Sequence, residues 1–94
     1  MKVYVLVLDS HIGNKDFYVY SSRDRAVEEA AEEIRTIIDS EVMIDSQNKE
    51  FVEYGGERLY IPDDDHKLVE EWFNFELQDY FKMDVGIHKA NYYE

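Results

Sequence analysis

Ser21 to Glu41, SSRDRAVEEAAEEIRTIIDSE, is the stretch that decides how this chain folds. Placed on an α-helix at about 100° per residue, Ala26, Val27, Ala30, Ala31, Ile34, Ile37 and Ile38 fall in one arc. Asp24, Glu28, Glu29, Glu32, Glu33 and Asp39 fill the opposite one. Ser21 or Ser22 is placed to cap the helix, and Ser21 followed by Asp24 resembles a capping box with aspartate in place of the preferred glutamate. The helix is predicted to run to about Ser40, offering a dry face to a core and an anionic face to water or to a partner. Arg25–Glu29 and Glu32–Arg35 have helical spacing for ion pairs, each contributing about 0.2–0.5 kcal/mol. They leave the segment acidic, with seven carboxylates against three arginines.

Working back from this helix, Lys2 to Leu8 reads as a β-strand apolar at odd positions (Val3, Val5, Val7) and at even ones (Tyr4, Leu6, Leu8). That pattern predicts a central strand covered on both sides, because a strand with one wet face alternates. Residues 9–16 form a hairpin loop with Gly13-Asn14 as its turn, and Phe17 to Tyr20 returns as a second strand. The loop is long enough to leave the register open.

Working forward, Val42-Met43-Ile44 reads as a helix tail or a short edge strand, and we take the strand. Asp45 to Lys49 is a turn by composition. Phe51 to Ile61, FVEYGGERLYI, is a hairpin about Gly55-Gly56, since two glycines supply the positive φ angles of a two-residue turn. That register sets Tyr54 opposite Glu57, Glu53 opposite Arg58 and Val52 opposite Leu59. Pro62 closes the strand, and Asp63-Asp64-Asp65 opens a second helix by capping its free N–H groups. This helix is predicted to continue to about Phe81. Its apolar arc is wide: Leu68, Trp72 and Phe75 in one group, and Val69, Phe73, Leu77 and Tyr80 beside it. The width predicts contact with the sheet and with something further, either the first helix or a second subunit. Asp84 to about Tyr92 reads as a last strand. The expected fold is α+β, one antiparallel sheet with two helices packed on one face in the order ββα(β)ββαβ, spanning residues 1–94 as a single compact domain. The other sheet face is expected to carry tyrosines and to form a large apolar patch.

The 94 residues hold 22 acidic and ten basic side chains, a formal net charge of −12. Such a balance argues against direct nucleic-acid binding and against anionic membrane surfaces, and favours basic partners. Apolar residues at 45% supply enough material for a core, which excludes disorder. There is no cysteine, so disulfides and thiolate metal sites are excluded and a cytosolic location is expected. The apolar run after Met1-Lys2 is too short for a signal peptide or a membrane span. The acidity is concentrated: residues 63–84 hold eight acids against two lysines, more than the first helix.

No residue pattern names a reaction. Asp63-Asp64-Asp65 with His66 lacks EF-hand spacing, and His11, His66 and His88 share no ligand-like spacing. Gly55-Gly56 lacks the context of a phosphate loop. No cofactor and no metal is implied.

The opening VYVLVLD, with Asp9 at the strand end, resembles that of the Cas2/VapD group of ferredoxin-like dimers, in which an acidic residue there is linked to metal-dependent nuclease activity. The chain departs from that group where residues 11–20 read as a hairpin return in place of a helix. In kind, a single acidic domain with carboxylates in rows on helix faces is similar to phage-encoded nucleic-acid mimics and anti-CRISPR proteins, which bind a basic groove and exclude its polynucleotide. Carboxylates at i and i+4 are about 6 Å apart along the axis, so Asp24–Glu28–Glu32 and Glu29–Glu33 approximate a line of charge. The expectation is a non-enzymatic protein that occupies a basic, nucleic-acid-binding surface of a partner. Its partner-binding residues would be Asp24, Glu28, Glu29, Glu32 and Glu33, with Asp63, Asp64, Asp65, Glu70 and Glu71 as a second patch. Trp72, Phe73 and Tyr80 are the expected anchors of a C2 homodimer. The alternatives are an assembly module acting through aromatic surfaces, and a Cas2-like nuclease using Asp9.

Overall fold

The computed structural model describes residues 1–91. Its helices and antiparallel strands make an α+β fold. The strands form two three-stranded sheets, not the single sheet expected. In the first, β1 (Lys2–Ser10) lies between β2 (Lys15–Tyr20) and the last strand, β6 (Met83–Asn91). In the second, β4 (Glu50–Tyr54) lies between β3 (Met43–Ile44) and β5 (Glu57–Tyr60). The continuation of β6 to Tyr92 lies outside the described residues. Both sheets share one helix, α1 (Arg23–Ile38).

The first helix forms for the reasons its pattern gives. Ser22 accepts the N–H of Arg25 and is the cap, and Ala26, Val27, Ala30, Ala31, Ile34 and Ile38 are buried. Ala30 meets Leu6 and Leu8 of the first sheet, whereas Ala31, Ile34 and Ile38 meet Val52 of the second together with Leu68, Phe73 and Leu77. Val69 and Val85 pack against both clusters and join them. Alanines at the junction let the helix lie close to the sheet. The molecule is elongated, 53 × 28 × 17 Å.

β1 is the central strand, as expected, but only its even-numbered face is covered by α1; on the odd-numbered face Val3 is buried while Val5 and Val7 are partly open. The register sets Tyr4, Leu6 and Leu8 beside Tyr20, Tyr18 and Asp16, and beside Lys89, Ile87 and Val85, and of these Leu6, Leu8, Tyr20, Ile87 and Val85 pack with Ala30 of α1. The opposite face carries Val5 and Val7 with Val19 and Phe17, so the tyrosines expected there lie on the helix side. Tyr20 extends the covered face at the sheet's edge, whereas Tyr18 on the same face lies beyond the helix and is exposed. The second hairpin has the expected register about Gly55 and Gly56, whose φ angles are +60° and +82°.

The second helix is not continuous. A short α2 (Asp65–Lys67) passes into a π turn over Leu68–Trp72, closed by the Phe73 N–H on the Leu68 carbonyl, and the chain then breaks. Asn74 is extended and caps α3 (Phe75–Phe81) by accepting the Leu77 N–H at 3.2 Å. The reason is one of phase. On one α-helix Leu68 and Leu77 would sit about 180° apart, yet both belong to the same core. The wider turn and the break at Phe73–Asn74 rotate the chain until Leu68, Phe73 and Leu77 all face inward, and Phe75 is left 87% exposed. The wide apolar arc therefore reflects two helices out of phase, not one helix contacting two surfaces.

Candidate acidic interface

Ion pairs bring the two acidic regions together along α1. Arg23 pairs with Glu70, Arg35 reaches Asp65 at 2.9 Å, and His66 Nε2 lies 3.2 Å from Asp24. Arg35 also donates to the Asp63 carbonyl at 3.4 Å. The expected Arg25–Glu29 pair forms at 3.0 Å, and Arg25 lies 3.3 Å from Glu28 as well. The Glu32–Arg35 pair does not form, because Arg35 crosses to the second acidic segment. These exposed pairs are each worth at most about 1 kcal/mol. Their main effect is to hold α1 beside residues 63–71.

They also sort the expected site residues into two sets. Asp24, Glu28, Glu29, Asp65 and Glu70 each have a cationic or histidine partner within 4.0 Å. Asp64 spends its carboxylate on the Lys67 N–H at 3.0 Å as the cap of α2. Among the described residues, the carboxylates of Glu32, Glu33, Asp63 and Glu71 have no ion-pair partner. Asp39, two helical turns beyond Glu32, joins this set. Glu32, Arg35, Thr36 and Asp39 line a shallow hollow, and Asp39 and Asp63 stand on the rim of a half-open cleft of about 740 Å³ whose wall includes Ile38, Ile61 and Pro62. The accessible charge therefore lies further along α1 than the Glu28–Glu29 pair. Asp39 was visible in the acidic arc at i+7 from Glu32. The crossing of Arg35 was not, since it joins residues thirty apart in sequence.

The expected dimer anchors separate in the same way. Phe73 is 1% exposed, enclosed in its own chain's larger core, and is excluded as a contact residue. Trp72 is half-buried against that core, with its indole Nε1 enclosed and unpartnered. Tyr80 is 43% exposed but committed: its ring packs on Tyr54 and Phe81 and its hydroxyl donates to Glu41 at 3.2 Å.

Asp9 lies opposite Asp84 across the β1–β6 ladder. Lys15 approaches Asp9 at 3.9 Å and His11 approaches Asp84 at 3.1 Å, so the like-charged pair is flanked by one cation and one histidine. Among the described residues no three His, Asp or Glu side chains converge as metal ligands, and Asp64, Asp65 and His66 turn to the Lys67 N–H, Arg35 and Asp24 respectively. β1 returns directly through β2, so the helix that a βαββαβ order places after the first strand is not there. Among the described residues no helix is long and apolar enough to cross a membrane.

Three groups shift in ways that predict pH dependence. Asp45 accepts the N–H groups of Lys49 and Gln47 and the Tyr60 hydroxyl, which hold its carboxyl below the ordinary 3.8. The Lys67 N–H does the same for Asp64. For both, the folded carboxylate is favoured, so their stabilisation is present above the ordinary value and disappears as pH falls through the folded one. The Glu41 carboxylate that accepts the Tyr80 hydroxyl pushes that phenol above 10.0, so its contribution is present below pH 10 and is lost as pH rises through the folded value. In urea titrations across pH, Asp45→Asn should flatten the acid limb of stability and lower stability at neutral pH, since the amide oxygen still accepts the two N–H groups but the charge and the acceptor for the Tyr60 hydroxyl are gone. Tyr80→Phe should flatten the alkaline limb. An unaltered acid limb in Asp45→Asn would contradict the assignment.

No protein family, no curated protein and no solved structure matches this chain.

Proposed function

We propose that this chain is a non-enzymatic binding protein whose acidic helical surface occupies a basic surface on a partner protein, of the kind that holds nucleic acid. The observation that carries this reading is the set of carboxylates left without an ion-pair partner, Glu32, Glu33, Asp39, Asp63 and Glu71, on and beside α1. The arginines that could neutralise them are committed elsewhere: Arg23 to Glu70, Arg25 to Glu28 and Glu29, and Arg35 to Asp65. Eleven carboxylates of the surface, the ten expected between Asp24 and Glu71 together with Asp39, face four basic residues, Arg23, Arg25, Arg35 and Lys67. Glu32 and Asp39 stand about 10 Å apart along the axis, two turns of one face. A lysine- or arginine-lined groove would find there a line of exposed acceptors. The likeness in kind to phage-encoded nucleic-acid mimics and anti-CRISPR proteins extends this reading to an inhibitor of a nucleic-acid-binding complex acting in the host cytosol.

The test is capture of basic partners by the immobilised chain, washed across about 0.05 to 0.5 M salt. Capture should fall steeply with salt, and Glu32→Lys with Glu33→Lys should weaken it about 100-fold, whereas Glu28→Lys should weaken it less because Glu28 already shares Arg25. Salt-independent capture would favour assembly through the aromatic surfaces and would count against the acidic interface.

A further inference from the structure

We propose that β2 is a pairing edge, and that a second copy of this chain adds its own β2 there, antiparallel, to form a continuous six-stranded sheet. The inference is independent of the acidic interface and bears on how two such interfaces would be arrayed. An edge strand presents unpaired N–H and C=O groups, and proteins ordinarily blunt such edges with short length, charge, proline, a bulge or a cover. Three of the four sheet edges are blunted. β3 is two residues long, and β5 carries Glu57 and Arg58 within four. β6 is blunted in part: the Gln78 side-chain amide accepts the Val85 N–H at 3.2 Å and donates to the Val85 carbonyl at 3.5 Å, and Lys89 sets a charge further along the strand.

β2 has none of these devices beyond its first two residues. It is six residues long, and Phe17-Tyr18-Val19-Tyr20 contains no charge, no proline and no glycine. Phe17 and Val19 are 59% and 60% exposed on one face, and Tyr18 is exposed on the other. Apolar residues on both faces are the pattern of an interior strand.

The ladder shows which backbone groups are available. Val85 gives its N–H and C=O to Gln78, so it turns away from Leu8, its partner on β1. Alternation along the antiparallel ladder then points Leu8 and Leu6 at Asp16 and Tyr18, and leaves the N–H and C=O of Phe17 and Val19 directed outward. The Ser10 N–H on the Asn14 carbonyl obeys the same parity. Outward groups on odd residues require a self-pairing that joins odd to odd. Phe17 opposite Val19 of the second copy meets this and centres Tyr18 on the twofold axis. Aromatic against β-branched is a favourable cross-strand pair.

Charge favours a second copy at this edge. The strand's two charges, Lys15 and Asp16, are adjacent and cancel, whereas the helical surfaces would set acid against acid. A twofold axis normal to the sheet keeps both α1 helices on one face. Each lies over its own β1, so three strand spacings, about 14 Å, separate them. That exceeds the Debye length of about 8 Å at physiological salt, and repulsion between the two anionic faces is screened there.

Sedimentation equilibrium with amide exchange tests this. The chain should sediment at twice its 11.3 kDa mass, more completely as salt rises. Val19→Lys, at an exposed position, should return it to a monomer with unchanged far-UV spectrum and raise the dissociation constant about 100-fold. On the unaltered chain, the Phe17 and Val19 amides should exchange at least about tenfold more slowly at high than at low protein concentration. A monomer at every concentration and salt, or a Val19→Lys dimer, would overturn the proposal. A dimer whose Phe17 and Val19 amides exchange freely would also overturn it, as packing of the open sheet faces leaves those edge groups in water. The amide measurement stands whether or not the variant folds. Glu32→Lys with Glu33→Lys should still dimerise, which keeps failure here distinct from failure of the acidic interface.

Discussion

Phe73→Ala is expected to destabilise the protein by about 3–5 kcal/mol, enough to remove much of the stability of a domain of this size. Phe73 fills the larger core between Ile34, Ile38 and Val52 on one side and Leu68 and Leu77 on the other, at 1% exposure. Its backbone is also the point where the π turn ends, with φ −82° and ψ 70°. Truncation therefore removes the ring that holds two helices of different phase on one core and leaves a cavity there. With about 4–8 °C per kcal/mol for a domain of 60–100 residues, the midpoint should fall by roughly 12–40 °C. Thermal unfolding followed by circular dichroism measures this. A loss below about 1 kcal/mol would mean that Phe73 faces outward after all and is available as a contact residue.

Leu6→Ala should cost about 2–5 kcal/mol from the other core. Leu6 is 1% exposed beneath α1, beside Leu8 and Ala30, with Ile87 directly across the ladder. The informative quantity is the shape of the transition. Val69 and Val85 pack on both clusters and α1 runs through both, so the two sheets should unfold together in one transition in either variant. Leu6→Ala should lower the midpoint seen by far-UV circular dichroism and that seen by Trp72 fluorescence equally, although Trp72 sits on the other core. A Trp72 transition unmoved by Leu6→Ala would show two units that melt separately.

These expectations show how unevenly the chain could be read beforehand. The α1 stripe was legible residue by residue, because a 3.6-residue period and a serine cap are local facts. The Gly55-Gly56 hairpin was legible to its register, since a two-residue turn leaves no slack between its strands. The β1–β2 register was not, because the four residues His11–Asn14 between the strands permit several pairings. The break at Phe73–Asn74 left a signal that was misattributed. Asn74 three residues before Leu77 is an N-cap spacing, and the wide apolar arc was a phase change. The acidic site was legible as a composition of two helical regions. Its division into partnered and unpartnered carboxylates was not, because Arg23 and Arg35 choose partners distant in the chain.

Composition and periodicity by themselves determined the α+β class, an amphipathic helix within Ser21 to Glu41, its anionic outer face and the second hairpin. Each follows from interactions within a few residues or from a repeat that any window reveals. Only the tertiary structure decided that the strands divide into two sheets on one helix, that Phe73 is core, that Glu32, Glu33, Asp39, Asp63 and Glu71 have no ion-pair partner among the described residues, and that Gln78 ties the β6 edge at Val85. Those features depend on which distant side chains arrive first at a shared neighbour: Gln78 at β6, Arg35 at Asp65, Leu68 and Leu77 at Phe73. The α1 stripe specifies that a core forms against it, and the arrival of both sheets and of two out-of-phase helices specifies which core.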